Sequence, residues 1–182
     1  VITKLNVTMG YPMRNAPIYA FLDAVLDLQR YAKSKEGVVT FYHKPVLDLL
    51  AYAYLQSADA GWASEAAQKI QNDNWVDVPQ ELVSKENTLF ALVFQKVGSD
   101  SLLDYLLEII QFLAKELQED PTQKSYLFQA FKQLNRVKEI FRSSGTKELK
   151  VEFLLNLFRK LFRDLKLPFE GEPLQGLQIM GV

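Results

Sequence analysis

From Ser99 to Lys166, apolar residues recur at three- and four-residue intervals and the pattern breaks at only two places. That is the period of α-helices with one buried face. The first helix is predicted from Ser99 or Asp100 to about Glu119, with Leu103, Leu106, Ile110, Leu113 and Leu117 on its core face. Asp120-Pro121 then offers an N-cap acceptor followed by a residue whose missing N–H does no harm in a first turn. The second helix runs to about Arg142 and is expected to bury Leu127, Phe128, Phe131, Leu134, Val137 and Phe141. Ser143-Ser-Gly145 ends it, and Thr146 caps a last helix, Lys147 to about Lys166. Phe153, Leu154, Leu157, Phe158, Leu161, Phe162 and Leu165 form its wide apolar face. Breaks this short make the three helices antiparallel neighbours, up, down and up.

The N-terminal part is more broken. Ile2 to Met9 alternates imperfectly between apolar and polar residues and reads as a strand, ended by Gly10-Tyr11-Pro12. Asn15 and Pro17 mark a helix start, with the helix expected to reach about Lys35 before Gly37 stops it. Its apolar stripe is Ile18, Phe21, Leu22, Val25, Leu26 and Leu28 to Gln29, with Asp23, Asp27 and Arg30 facing away. Val38 to Phe41 is extended, and Pro45 opens a helix, Val46 to Leu55, that is apolar almost all round. Gly61 to Asn72 is an Ala-rich helix with Trp62, Ala66 and Ile70 on one side. Trp75 to Pro79 is extended, because a proline pushes its predecessor out of the helical region. Glu86 to Lys96 is a short helix. Residues 56–98 read equally as a capping lobe or a peripheral insertion. After a Pro- and Gly-marked loop ending at Gly176, Leu177 to Val182 reads as a short buried strand. The fold class expected is mainly α: a helical bundle of three long C-terminal helices plus shorter N-terminal ones, with two terminal strands adjacent in a small β-sheet. Strands at both ends of a helical body suggest a segment of a larger protein.

Charge and motifs exclude more than they assign. With 21 basic and 22 acidic side chains in 182 residues, a strongly cationic nucleic-acid binder is excluded, though a local basic face is not. The chain has no cysteine, hence no disulfide, thiolate metal site or Cys nucleophile. No apolar run approaches a membrane span and no signal peptide opens the chain, so the expectation is a soluble, cytoplasmic domain with no membrane partner. None of the eight glycines begins a phosphate-binding G-x-x-x-x-G-K-[ST] loop. His43 is the sole imidazole, so neither a His-based metal cluster nor a Ser-His-Asp triad can be completed; it precedes Pro45 and reads as a helix-start residue. Glu148-Leu-Lys150 matches the last three letters of the PD-(D/E)XK nuclease pattern, but in a first helical turn it reads as coincidence. Glu170 and Glu172 lie on a Gly/Pro loop and read as solvated, and Trp62 and Trp75 as core or interface rather than base-stacking residues. No catalytic residue, metal ligand or cofactor is assigned.

One surface feature carries a functional expectation. Lys132, Arg136 and Lys138 to Arg142 on one helix, with Lys150, Arg159, Lys160, Arg163 and Lys166 on the next, concentrate positive charge in the C-terminal third. Phosphate contacts need such groups on a rigid surface. The DNA-phosphate candidates are Lys132, Arg136, Lys150, Arg159, Lys160 and Arg163. The competing reading is a solvated helix face, with Arg163 and Lys166 offsetting a helix dipole and other cations answered by nearby acids.

Two stretches resemble a known family. Leu5-Asn-Val-Thr-Met-Gly-Tyr-Pro12, with Asn15-Ala-Pro-Ile-Tyr19 and Leu22 to Gln29, is similar to the fourth-motif region of the B subunit of AddAB-type helicase–nucleases. Glu170-Gly-Glu-Pro-Leu-Gln-Gly-Leu-Gln-Ile-Met-Gly-Val182 resembles the strand that begins their fifth motif. The similarity is best to the Bacteroidetes type, an inactivated superfamily 1 helicase with a C-terminal PD-(D/E)XK nuclease. In such motors a helical subdomain is inserted between these two motifs. The resemblance therefore implies that residues 1–37 are a strand and helix of the second RecA-like domain, 38–166 the inserted helical subdomain, and 167–182 a loop and returning motor-domain strand. It also implies a DNA-repair or recombination parent, an ATP-dependent exodeoxyribonuclease or helicase subunit, with DNA and a partner helicase–nuclease subunit as partners. None of the family's catalytic residues maps onto a position here. The alternative from another class is a stand-alone helical adaptor that binds a partner protein through its apolar faces.

Overall fold

The computed structural model describes residues 5–8, 11–86, 88–117, 120–144, 150–167 and 177–180, with side chains for all but 5–8, 167 and 177–180. The elements in chain order are β1 (Leu5–Thr8), β2 (Tyr11–Pro12), a 3-10 turn (Met13–Asn15), α1 (Pro17–Arg30), β3 (Lys33–Lys35), β4 (Val38–Tyr42), α2 (His43–Ala51) and α3 (Ala53–Asn72). They continue with β5 (Asp77–Pro79), α4 (Gln80–Val83), α5 (Leu89–Val93), α6 (Leu102–Glu116), α7 (Pro121–Ser143), α8 (Val151–Arg163), β6 (Lys166–Leu167) and β7 (Leu177–Met180). The fold is mainly α, as the periodicity predicts. β1 and β7 are adjacent and parallel, with Leu5 opposite Leu177 and Thr8 opposite Met180. The helical body lies between them in the chain.

One continuous core joins α1, α2, α5, α6, α7 and α8, with Phe21, Phe41, Phe90, Phe94, Phe158 and Phe162 among its largest fully buried side chains. α1 supplies Ile18, Phe21, Leu22, Val25, Leu26 and Leu28, the stripe its spacing predicts. The expected subdomain boundary at 37/38 therefore crosses a shared core. α1 ends at Arg30 rather than Lys35. Glu36 and Gly37 both take positive φ, 52° and 83°, and close a two-residue hairpin that pairs Lys33–Lys35 with Val38–Thr40. The ladder, continued by β4 against β5 with Phe41 opposite Val78, takes the backbone groups a longer helix would have used.

Gly61–Asn72 is helical as expected, but the helix already begins at Ala53 and passes through a kink at Asp59 (φ −165°, ψ 93°). Asp59 Oδ1 accepts a hydrogen bond from the Trp62 backbone N–H at 2.9 Å, which makes Asp59 an N-cap placed inside the helix. α7 starts where Asp120-Pro121 predicts: the Asp120 carboxylate accepts from the N–H groups of Thr122 and Gln123 at 2.9 and 3.0 Å. α6 begins at Leu102, two residues beyond Asp100, with no side-chain cap. Thr146, Lys147 and Glu148, with Glu170 and Glu172, lie outside the described residues.

Three corrections concern the C-terminal helices. α8 stops at Arg163, and Lys166 lies on β6, paired antiparallel with Pro12. Phe128 is 63% exposed and Phe153 51%, whereas Tyr126, Ala130 and Leu155 are buried in their helices. Phe128 lies at the edge of the α6–α7 contact, and Phe153 is left out by how α8 sits. It packs chiefly on α1, through Tyr19 stacked on Phe158 with centroids 5.4 Å apart, and meets α7 through the edge-to-face pair Phe141–Phe153. The buried arc of α8 is Leu154, Leu155, Phe158 and Phe162, the two phenylalanines meeting Tyr19 of α1, so Phe153 and the partly exposed Leu161 fall at or beyond its margin.

Candidate nucleic-acid interface

Asn156, Arg159, Lys160 and Arg163 stand at i, i+3, i+4 and i+7 on α8 and therefore share one face of that helix. The 3-10 turn before α1 faces them. Its Met13 is fully buried, and the Met13 N–H donates to the Leu165 carbonyl at 2.8 Å, which ties the turn to the end of α8. Arg14 and Asn15 are carried to the surface beside the α8 face. Together with Tyr19 these residues line an open groove of about 640 Å³.

The groove's electrostatics are partly neutralised. Arg159 donates from Nε to Asp23 Oδ1 at 2.7 Å and from Nη2 to Oδ2 at 2.9 Å, a bidentate pair between α8 and α1. That hydrogen bonding holds the Arg159 guanidinium above its ordinary pKa, against a smaller opposing effect of burial. Arg163 donates to Asp164 at 3.1 and 3.3 Å and is raised for the same reason. The Asp164 carboxyl is held below its usual range, first by the Arg163 hydrogen bond, with the Arg14 and Lys160 charges helping. Four cations, Arg14, Arg159, Lys160 and Arg163, thus meet two carboxylates. Arg14 and Lys160 form no ion pair within 4 Å among the described residues. A groove of this size with excess positive charge on a helix face suits an extended polyanion.

The expected basic face divides. Arg159, Lys160 and Arg163 come together here; Lys132, Arg136 and Lys150 do not line this groove. Lys132 and Arg136 are exposed on α7. Lys150 occupies the N-cap position of α8, about 20 Å of helix away from Arg163. Lys138 is paired with Asp104 of α6. Arg14, Asn15, Tyr19 and Asn156 are additions that the charge pattern alone does not single out. Asn156 has a sequence signal, as the i−3 neighbour of Arg159, whereas nothing local links Arg14 to a helix so far along the chain.

A second groove, about 480 Å³, shares Tyr19 with the first and is also lined by Asp23, Asp27, Asp48 and Tyr52. Tyr19 and Tyr52 are both raised above the ordinary tyrosine pKa, first by burial and then by the charges of Asp23 and of Asp48 respectively. Among the described residues no group of three or more His, Cys, Asp or Glu could hold a metal ion. His43 opens α2, and its backbone N–H donates to the Val76 carbonyl at 3.0 Å. Trp75 is partly exposed, while Trp62 is half-buried under the Lys85 ammonium, 5.6 Å from the ring centroid. No helix among the described residues is long and apolar enough to cross a membrane. No known protein family, curated protein or solved structure matches the chain.

Proposed function

We propose that the chain is the inserted helical subdomain of a DNA-repair helicase–nuclease subunit of the AddAB B type, and that it positions DNA without hydrolysing anything. The observation that carries this reading is the parallel pairing of Leu5–Thr8 with Leu177–Met180. An insertion between neighbouring strands of a RecA-like sheet must leave and re-enter that sheet at adjacent strands. Parallel sheets of that kind also demand a long connection between paired strands, here the whole helical body. The basic groove between the 3-10 turn and α8 is the surface on which the DNA backbone is guided. The alternative role within the parent is packing on the partner motor subunit.

The test is fluorescence anisotropy with a labelled DNA duplex at low salt. Wild-type protein binds it weakly, and the reversal Lys160→Glu with Arg14→Glu abolishes binding while far-UV circular dichroism stays unchanged. Equal binding by wild type and the reversed variant contradicts the DNA-guiding role. A specific observation also favours the helical-adaptor reading: an apolar groove between α6 and α7 is left open, with Phe128 in its wall.

A further inference from the structure

Lys138 of α7 pairs with Asp104 near the start of α6, so the two helices run antiparallel and are clamped at that end. Towards the other end a groove of about 330 Å³ lies along them, its floor and walls formed by Ile110, Ala114, Leu127, Phe128 and Phe131, with Lys124 at its rim. Phe128 is the most exposed of the large apolar side chains among the described residues. Phe128 and the apolar trough beside it together offer an apolar surface that a partner's side chains would cover.

Charge decides what fits. Lys124 and Lys132 flank Phe128 at i−4 and i+4 on α7, and neither forms an ion pair among the described residues. The ion pair that does cross from α6 to α7 uses Asp104 and Lys138, and leaves both of these ammonium groups unanswered. A ligand seated here therefore meets apolar side chains below and, along the α7 wall, Lys124 at the rim with Lys132 one turn beyond Phe128. A third helix is the shape that a trough between two packed helices accepts, with its i, i+3, i+4 and i+7 residues inserted. A second copy of this chain docked here about a two-fold axis through Phe128 would bring Lys124 of each copy towards Lys132 of the other. Nucleic acid would leave the apolar floor without polar partners for its phosphates.

We propose that the α6–α7 groove docks an acidic amphipathic helix of a partner protein. This does not rest on the DNA-guiding role of the α8 groove. The probe is a designed, fluorescein-labelled peptide with Leu and Phe at i, i+3, i+4 and i+7 and Glu elsewhere, titrated with the full chain. A second peptide carries Lys in place of every Glu. The acidic peptide binds at least about tenfold more tightly than the basic one. Phe128→Ala weakens it by about tenfold, and Lys124→Glu with Lys132→Glu inverts the preference between the peptides. All three side chains lie at the surface, so the variants keep the core, and Phe128→Ala leaves duplex DNA binding unchanged. Equal affinity for the two peptides, or indifference to Phe128→Ala, overturns the proposal. So does sedimentation showing a dimer that Phe128→Ala dissolves, or displacement of the acidic peptide by duplex DNA.

Discussion

Arg159 on α8 grips Asp23 on α1 through two parallel hydrogen bonds of 2.7 and 2.9 Å, joining residues 136 positions apart. The pair has two consequences that pull in opposite directions. It holds the last helix onto the first, and it withholds one guanidinium from any phosphate entering the groove. Asp23→Asn should lower stability by about 0.5–1 kcal/mol, since the guanidinium is substantially exposed. The same change should raise affinity for duplex DNA and steepen its dependence on salt by the equivalent of about one phosphate. Paired denaturation and anisotropy titrations check both; a variant that binds DNA less well would place Arg159 outside the interface.

Gln29 is the one buried polar residue among those described, and its amide is fully used. Nε2 donates to the Gln95 carbonyl at 2.7 Å, and Oε1 accepts from the Val97 N–H at 3.1 Å. Beside it the Tyr105 hydroxyl donates to the Val93 carbonyl at 2.6 Å, and burial pushes its pKa up. Gln29 thereby satisfies the irregular chain between α5 and α6. Gln29→Leu leaves the part-buried Val97 N–H and Gln95 carbonyl without these partners, and urea denaturation should show a loss of about 1–2 kcal/mol. A loss under about half a kilocalorie would mean that water reaches those groups.

Asp59 caps the second part of α3 at its kink, and the ionised carboxylate is what makes that cap and the Lys85 pair. Its carboxyl is held below the ordinary 3.8, first by the hydrogen bond from Lys85 Nζ at 2.7 Å and then by the Trp62 N–H. A depressed folded-state pKa contributes stability that is complete above the unfolded value and is lost as pH falls through the folded one. The gap in denaturant midpoint between wild type and Asp59→Asn should be constant above about pH 5 and close below it. Asp164, also depressed, leaves a residual acid loss in the variant. A gap independent of pH down to acid unfolding would remove the Lys85–Asp59 pair as its source.

Much of the fold is legible in the sequence because it is periodic. The α1 stripe down to Gln29, the Asp120 cap and the two terminal strands each follow from local residue order. What is not legible depends on which helix lies opposite. Phe128 and Leu127 are adjacent in sequence and both suit a core, yet only the seating of α6 decides that Leu127 is buried and Phe128 is not. The same holds for Phe153, left at the margin because α8 turns to α1. The end of α1 is hidden because Glu36-Gly37, which looks like a simple stop, closes a hairpin that draws Lys33–Lys35 into a sheet. At the groove, the α8 cations share a helix face, so their spacing alone brings them together. Arg14 is beyond sequence reasoning, since its place depends on the Met13–Leu165 hydrogen bond.

The most direct test of the DNA-guiding account is the slope of log Kobs against log salt for duplex DNA. With two cations outside any ion pair among the described residues and two partly held by carboxylates, wild type should give a slope of about −2 to −3.5. Arg14→Gln with Lys160→Gln should flatten it by about 1.8, at about 0.9 for each phosphate no longer neutralised. A wild-type slope near zero, or one that the double variant leaves unchanged, would contradict the account.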